Sequence, residues 1–321
     1  MPDTIKSHQT DTTGVYAGLS DLLHCRLLAK DLTLSRQRKI LNSQAGLHTS
    51  RFRGRGIDFS EVRAYQSGDD MRSIDWRVTA RTGKPHTKLY TEERERPTLI
   101  ILDQSHSMFF GSQQAFKSVR AAQAAALLGW AALARGDRVG GIIFSDQEQG
   151  EIRPRRNHRN ILHLIDRIIF FNHALGKAEV ESTTSISQNR LSESLNHARR
   201  TTKPGSELFI ISDFLSFNDD CRQHLFKLSR HNDVVCINSY DTLERDLPKP
   251  GLYTVTDGHQ KTTFDLLDQK TRSLYHELFE HRIDQLRTEL EQMKIPLVQM
   301  ANDQPPLQAL QAGLGIRGRY R

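Results

Sequence analysis

Nearly continuous apolar runs alternate with helical patterns from Pro97 onward, and no other feature narrows the fold as much. The runs are TLIIL (98–102), RVGGIIF (138–144), ELFII (207–211), VVCIN (234–238) and LVQM (297–300). A strand with one wet face alternates apolar and polar residues, whereas unbroken runs fit parallel strands covered on both sides. Between them, 115–135 is Ala-rich and stops at Gly136, a fitting helix terminator. Ile161, Ile165, Ile168 and Ile169 form a stripe within 156–171, and 270–294 repeats apolar residues at helical steps. FSDQEQGEIRP (144–154) reads as a return into an antiparallel edge strand, and LYTVTDGHQKTTFDL (252–266) as a hairpin turning at Asp257-Gly258. The expected fold is therefore α/β, a doubly wound and mostly parallel sheet.

Upstream the pattern differs. Residues 1–16 are polar and are expected to form a disordered tail. LSDLLHCRLLAKDLTLSRQRKIL (19–41) carries leucines near helical spacing, with Ser20 as its expected N-cap. In 42–96, glycines punctuate short alternating runs, which predicts short strands and turns. The expected division is a tail (1–16), a helix with a small β-rich module (17–96) and an α/β domain (97–321).

Composition excludes several function classes. No run approaches the roughly 20 apolar residues that a membrane span needs. The polar start does not read as a secretory signal. The three cysteines (25, 221 and 236) form no C-x-x-C pair, which disfavours a zinc or disulfide framework and suits the cytoplasm. The net charge is +7, concentrated in the first third, where basic residues alternate with acids as on a solvated face. A nucleic-acid reading, from that third and RPRRNHRN (153–160), lacks interleaved aromatics.

The first strong strand ends in D-Q-S-H-S, placing Asp103, Ser105 and Ser107 at alternate positions. Ligands of open α/β sheets bind beyond the carboxyl ends of the strands. One carboxylate and two hydroxyls are hard oxygen donors, suited to Mg2+, Mn2+ or Ca2+. An anion from outside, such as a partner's carboxylate, would complete so lightly charged a shell. The competing reading makes the serines caps of the helix starting near residue 113. ELFIISDF (207–214) repeats the arrangement with Ser212 and Asp213 and favours the site. An alternative is metal-dependent phosphoester hydrolysis, with Ser105 or His106 contributing. It lacks a D-x-D pair, a phosphate-cradling glycine loop and a general base in register.

These strand ends resemble a von Willebrand factor type A domain over residues 97–302. The resemblance implies a metal-ion-dependent adhesion site, its first element matching Asp103, Ser105 and Ser107 and its third matching Asp213. Its second element, a Thr, falls on Asn189 in ungapped register, with Thr183 or Thr184 available from a shifted loop. GRGIDFSEVRAYQSGDDMRSIDWRVTARTG (54–83) is similar to the signature of the bacterial family called domain of unknown function 58, in which it precedes such a domain. Membership implies a non-enzymatic adaptor or co-chaperone of MoxR-type AAA+ ATPases, with the metal capturing a partner carboxylate. Read as residues, the signature's alternating acids and arginines suit an ion-pair lattice, with a turn at Gly68-Asp69-Asp70 and Trp76 as the hairpin's anchor. Its functional reading is a docking surface made of Asp69, Asp70, Arg72 and Asp75.

Overall fold

In the computed structural model, residues 14–32, 34, 57–66, 71–92, 96–177, 189–256, 261–266 and 268–314 are described. In chain order the elements are α1 (Leu19–Leu28), β1 (Ile57–Ala64), α2 (Trp76–Thr82), β2 (His86–Glu92), β3 (Pro97–Asp103), α3 (Lys117–Ala134), β4 (Arg138–Phe144), β5 (Gln149–Arg155) and α4 (His158–Ala174). There follow α5 (Arg190–Thr201), β6 (Glu207–Ser212), α6 (Asp219–Ser229), β7 (Asp233–Tyr240), α7 (Thr242–Arg245), β8 (Leu252–Thr256), β9 (Lys261–Asp265), α8 (Gln269–Gln292), β10 (Leu297–Ala301) and α9 (Pro306–Gly313). Two compact units result, one of Met1–Gln37 with Arg96–Arg321 and the other of Arg38–Glu95.

The larger unit is built on a six-stranded sheet in the order β10-β7-β6-β3-β4-β5. All neighbours are parallel except β5, which returns antiparallel along β4 as expected. Alternate residues feed two cores. Ile100 and Leu102 pack with α1, α3, α4 and α9, while Leu99 and Ile101 pack with α5, α6 and α8. Covering both faces is why β3, β4 and β6 carry no polar alternation, whereas the edge strands β5 and β10 alternate in burial. At Gly140, opposite the irregularity in the β4–β5 register, a Cβ would collide with the backbone of Ile152 and Pro154. β8 and β9 form the predicted hairpin; its Asp257-Gly258 turn lies outside the described residues.

Chain order reverses between β3 and β6. Numbered within this sheet the strands run 3-2-1-4-5-6, the doubly wound order, whose crevice opens where the order reverses.

Two upstream expectations change. The first helix does not belong with the β-rich module, because Leu22, Cys25 and Ala29 are buried against α3 in the larger unit's core. Its N-cap is Gly18, not Ser20. Residues 14–16, counted in the tail, are also anchored: the Gly14 carbonyl accepts the Phe116 N–H, and Tyr16 packs on Phe109 and His173.

The smaller unit pairs β1 with β2 antiparallel, with a bulge at Phe59/Glu61. Between them stands α2, where only strands and turns were expected. Asp75 accepts the N–H groups of Arg77 and Val78, and Gly83, at φ 70°, closes the other end. Trp76, the expected anchor, opens this helix and is 70% exposed. Asp69 and Asp70 lie outside the described residues.

Candidate functional site

The β3 and β6 ends flank the reversal and bring the predicted acids together. Asp103 is buried at the end of β3. Its Oδ1 accepts the Ser105 N–H at 2.9 Å and its Oδ2 the Ser212 hydroxyl at 2.6 Å. Ser105 Oγ and Ser107 Oγ lie 3.2 Å apart on the short 3-10 turn His106–Met108 and its cap. Neither hydroxyl caps α3, whose N-cap is Phe116, so the helix-cap reading does not hold.

β6 delivers Asp213 through a strained turn. Phe214 adopts a left-handed φ of 53°, uncommon for a bulky residue. It donates its N–H to Ser212 Oγ at 3.0 Å, while Leu215 donates to Asp213 Oδ1 at 3.1 Å. The turn thereby turns Asp213 inward and fixes one of its oxygens. Backbone strain of this kind gathers at functional sites.

Asp213 Oδ2 is engaged by a residue that belongs to neither sequence motif. Lys117, the first residue of α3, is fully buried. Its Nζ donates to Asp213 Oδ2 at 3.0 Å and to Glu244 Oε1 at 2.6 Å. Burial disfavours the ammonium, but Asp213 and Glu244 outweigh that cost and hold its pKa above the ordinary lysine value. Glu244 is itself fixed, since its Oε2 accepts the Asp241 N–H at 2.9 Å in a capping box that starts α7.

Asp241, just beyond β7, adds a third strand-end acid, fully committed to structure. It accepts from Ser112 N (2.7 Å), Ser112 Oγ (2.6 Å), Leu243 N (2.7 Å) and Asn302 Nδ2 (2.6 Å). Burial works against its charge, yet these donors hold its pKa below the usual carboxylate range. The sequence signals for this cluster were a lysine heading an Ala-rich helix and an apolar run ending in S-Y-D-T-L-E, an acid followed three residues later by a capping Glu.

Asp103 has the opposite electrostatics. Burial, and then the neighbouring Asp213, push its pKa up to about 7, against the hydrogen bonds from Ser105 and Ser212. Among the described residues no cation pairs with it, and Lys117 is given to the other two acids. An uncompensated buried carboxylate beside two hydroxyls fits a hard divalent cation. No three His, Cys, Asp or Glu side chains converge among the described residues, so such an ion would depend on the hydroxyls.

Asn189 caps α5 without a side-chain hydrogen bond and is exposed. Its neighbour Arg190 donates to the carbonyls of Asp146 and Gln147, and Asp146 Oδ2 accepts the His106 N–H at 2.6 Å. The α5 start is thus tied to the serine turn. Thr183 and Thr184 lie outside the described residues, and Arg72 and Asp75 belong to the smaller unit. A cavity of about 350 Å³ opens beside Asp213, lined by Phe214, Phe217, Arg282, Ile283 and Leu286 among others. No helix among the described residues is long and apolar enough to cross a membrane.

Two mycobacterial proteins, Mb1516 of Mycobacterium bovis and Rv1480 of Mycobacterium tuberculosis, are each 29% identical to the chain over 228 residues, 71% of this chain and 69% of theirs. Among solved structures, the chain is similar to BatB from Bacteroides thetaiotaomicron, with a TM-score of 0.35 and 14% identity over 62% of this chain and 98% of that one. It is also similar to a von Willebrand factor type A protein from Catenulispora acidiphila, with a TM-score of 0.29 and 14% identity over 48% of this chain and 35% of that one. The fold assignment rests on the strand order itself. A family profile matches residues 61–284, more than half of the sequence, and the chain belongs to the family described as protein of unknown function DUF58.

Proposed function

We propose that the chain is a non-enzymatic protein-interaction module that docks its partner at the crevice between β3 and β6. Asp103, Ser105 and Ser107 hold a divalent cation there, Mg2+ in the cell, and a carboxylate of the partner completes its shell. The observation that carries this reading is Asp103: a buried acid with no cationic partner among the described residues, hydrogen-bonded to Ser105, whose hydroxyl lies 3.2 Å from that of Ser107. The partner is a MoxR-type AAA+ ATPase, as the family resemblance implies, and the site works in the cytoplasm.

A catalytic use has less support. Among the described residues no histidine or lysine hydrogen-bonds to Ser105 or Ser107, so neither hydroxyl has the imidazole or amine base of the usual serine nucleophiles. The His106 ring is exposed.

Co-purification of the cognate AAA+ ATPase with the full chain tests the proposal. Capture in Mg2+ that is lost with Asp103→Ala supports it. Capture that is equal in EDTA and indifferent to that substitution overturns it.

A further inference from the structure

The buried ammonium beside the candidate cation site has its own consequence. We propose that Lys117 acts as a tethered cation that withholds Asp213 from the metal, leaving a one-acid shell of Asp103, Ser105 and Ser107. The inference rests on the docking-site reading for where the ion lies, and it differs from the adhesion-site pattern, in which the Asp213 position is a ligand.

The geometry favours a permanent arrangement. Lys117 Nζ lies 3.0 Å from Asp213 Oδ2 and 2.6 Å from Glu244 Oε1, with no solvent exposure. Neither acid is free to follow an incoming ion. The other oxygen of Asp213 holds the Leu215 N–H, and the other oxygen of Glu244 holds the Asp241 N–H. Asp241 is in turn clamped by Ser112 and Asn302. A divalent cation on Asp213 Oδ2 would meet the ammonium at close range in a poorly solvated crevice, where like charges repel strongly. Displacing Lys117 would leave it buried between broken partners, which is strongly destabilising. The lysine and a metal bond to Asp213 therefore exclude one another. The shell is one anion short, and a partner's carboxylate supplies what Asp213 does not.

The test is Mn2+ binding, by calorimetry and electron paramagnetic resonance, to the full chain and to Lys117→Met, Asp213→Asn and the double variant, each checked for folding by its thermal melt. In the wild-type background, Asp213→Asn is expected to change Mn2+ affinity less than about threefold, a through-space charge effect, because no ligand bond is lost. Lys117→Met is expected to tighten binding about tenfold, and Asp213→Asn to remove that gain, a coupling that only direct ligation by the released acid gives. Additive effects of the two substitutions overturn the proposal, as does a loss of about tenfold or more from Asp213→Asn alone. If the wild type binds no Mn2+ but Lys117→Met does, in an Asp213-dependent way, the lysine's role stands and the cation part of the docking reading falls. Binding by neither overturns both. Should Lys117→Met not fold, nitrogen-15 NMR of the wild type decides. A solvent-protected Lys117 ammonium signal that persists through a Mg2+ titration supports the proposal, whereas its absence or its loss on adding Mg2+ overturns it.

Discussion

Asp103 and Asp213 sit side by side at two strand ends, yet among the described residues only Asp213 has a counter-charge. Lys117 neutralises Asp213, and Asp103 keeps a carboxyl whose pKa is raised to about 7 by burial and by that neighbour. The folded protein therefore binds this proton more tightly than the unfolded chain. Stability from this group is full below the ordinary carboxylate pKa near 4 and is lost as pH rises towards 7. Asp103→Asn removes the penalty. In metal-free buffer it is expected to stabilise the protein at pH 8 by on the order of 2–4 kcal/mol and to change little at about pH 3.5, as urea melts at the two values would show. Stabilisation on losing a polar side chain is a mark of a residue kept for binding. Asp103, Ser105, Ser107 and Asp213 were legible because each follows an apolar run, and a strand end fixes where a side chain goes. Lys117 and Glu244 were not legible. Asp213 and Glu244 lie 96 and 127 residues from Lys117, so neither the lysine heading a helix nor the capping spacing at Asp241–Glu244 reveals that the three meet.

At the scale of elements, the five apolar runs became five adjacent strands; β3, β4 and β6 are buried on both faces, a requirement written into their residues, while β10 at the edge alternates in burial. The bounds of β4 match the predicted 138–144, and β5 returns antiparallel beside it. Gly140 makes that return possible, since the β5 backbone passes where its side chain would be. Gly140→Ala is therefore expected to destabilise the sheet edge by about 2–4 kcal/mol, read as a lowered urea midpoint, while Gly205→Ala, where a Cβ meets nothing at φ 83°, costs about 1 kcal/mol of backbone strain alone. Two elements escaped the pattern. α2 is a seven-residue helix, too short to show a period, and only its caps Asp75 and Gly83 announce it. The leucines of α1 predict a helix with a buried face and not the element against which that face packs, which is α3.

Across the larger unit, charges divide between the two ends of the sheet. The carboxyl edge holds Asp103, Asp213 and Asp241 with Lys117, whereas the opposite edge is closed by Arg135 on Asp137 and Glu207 and by Arg96 on Asp233. The three free cysteines sample this unit at α1, α6 and β7. Burial pushes the thiols of Cys25 and Cys221 up to about 11 and raises that of Cys236 as well. Native protein at pH 8 is therefore expected to leave all three unlabelled by a thiol reagent and to expose them in one denaturant transition. Separate labelling of Cys25 would show that α1 does not share the unit's cooperativity.

The central claim is that the crevice between β3 and β6 docks a partner through a cation held by Asp103, Ser105 and Ser107. Calorimetric titration of the purified cognate AAA+ ATPase into the full chain, in Mg2+ and in EDTA, tests it most directly. The expected result is saturable binding in Mg2+ that weakens at least about tenfold in EDTA and, with Mg2+ present, in Asp103→Ala. Equal affinity under all three conditions would contradict it.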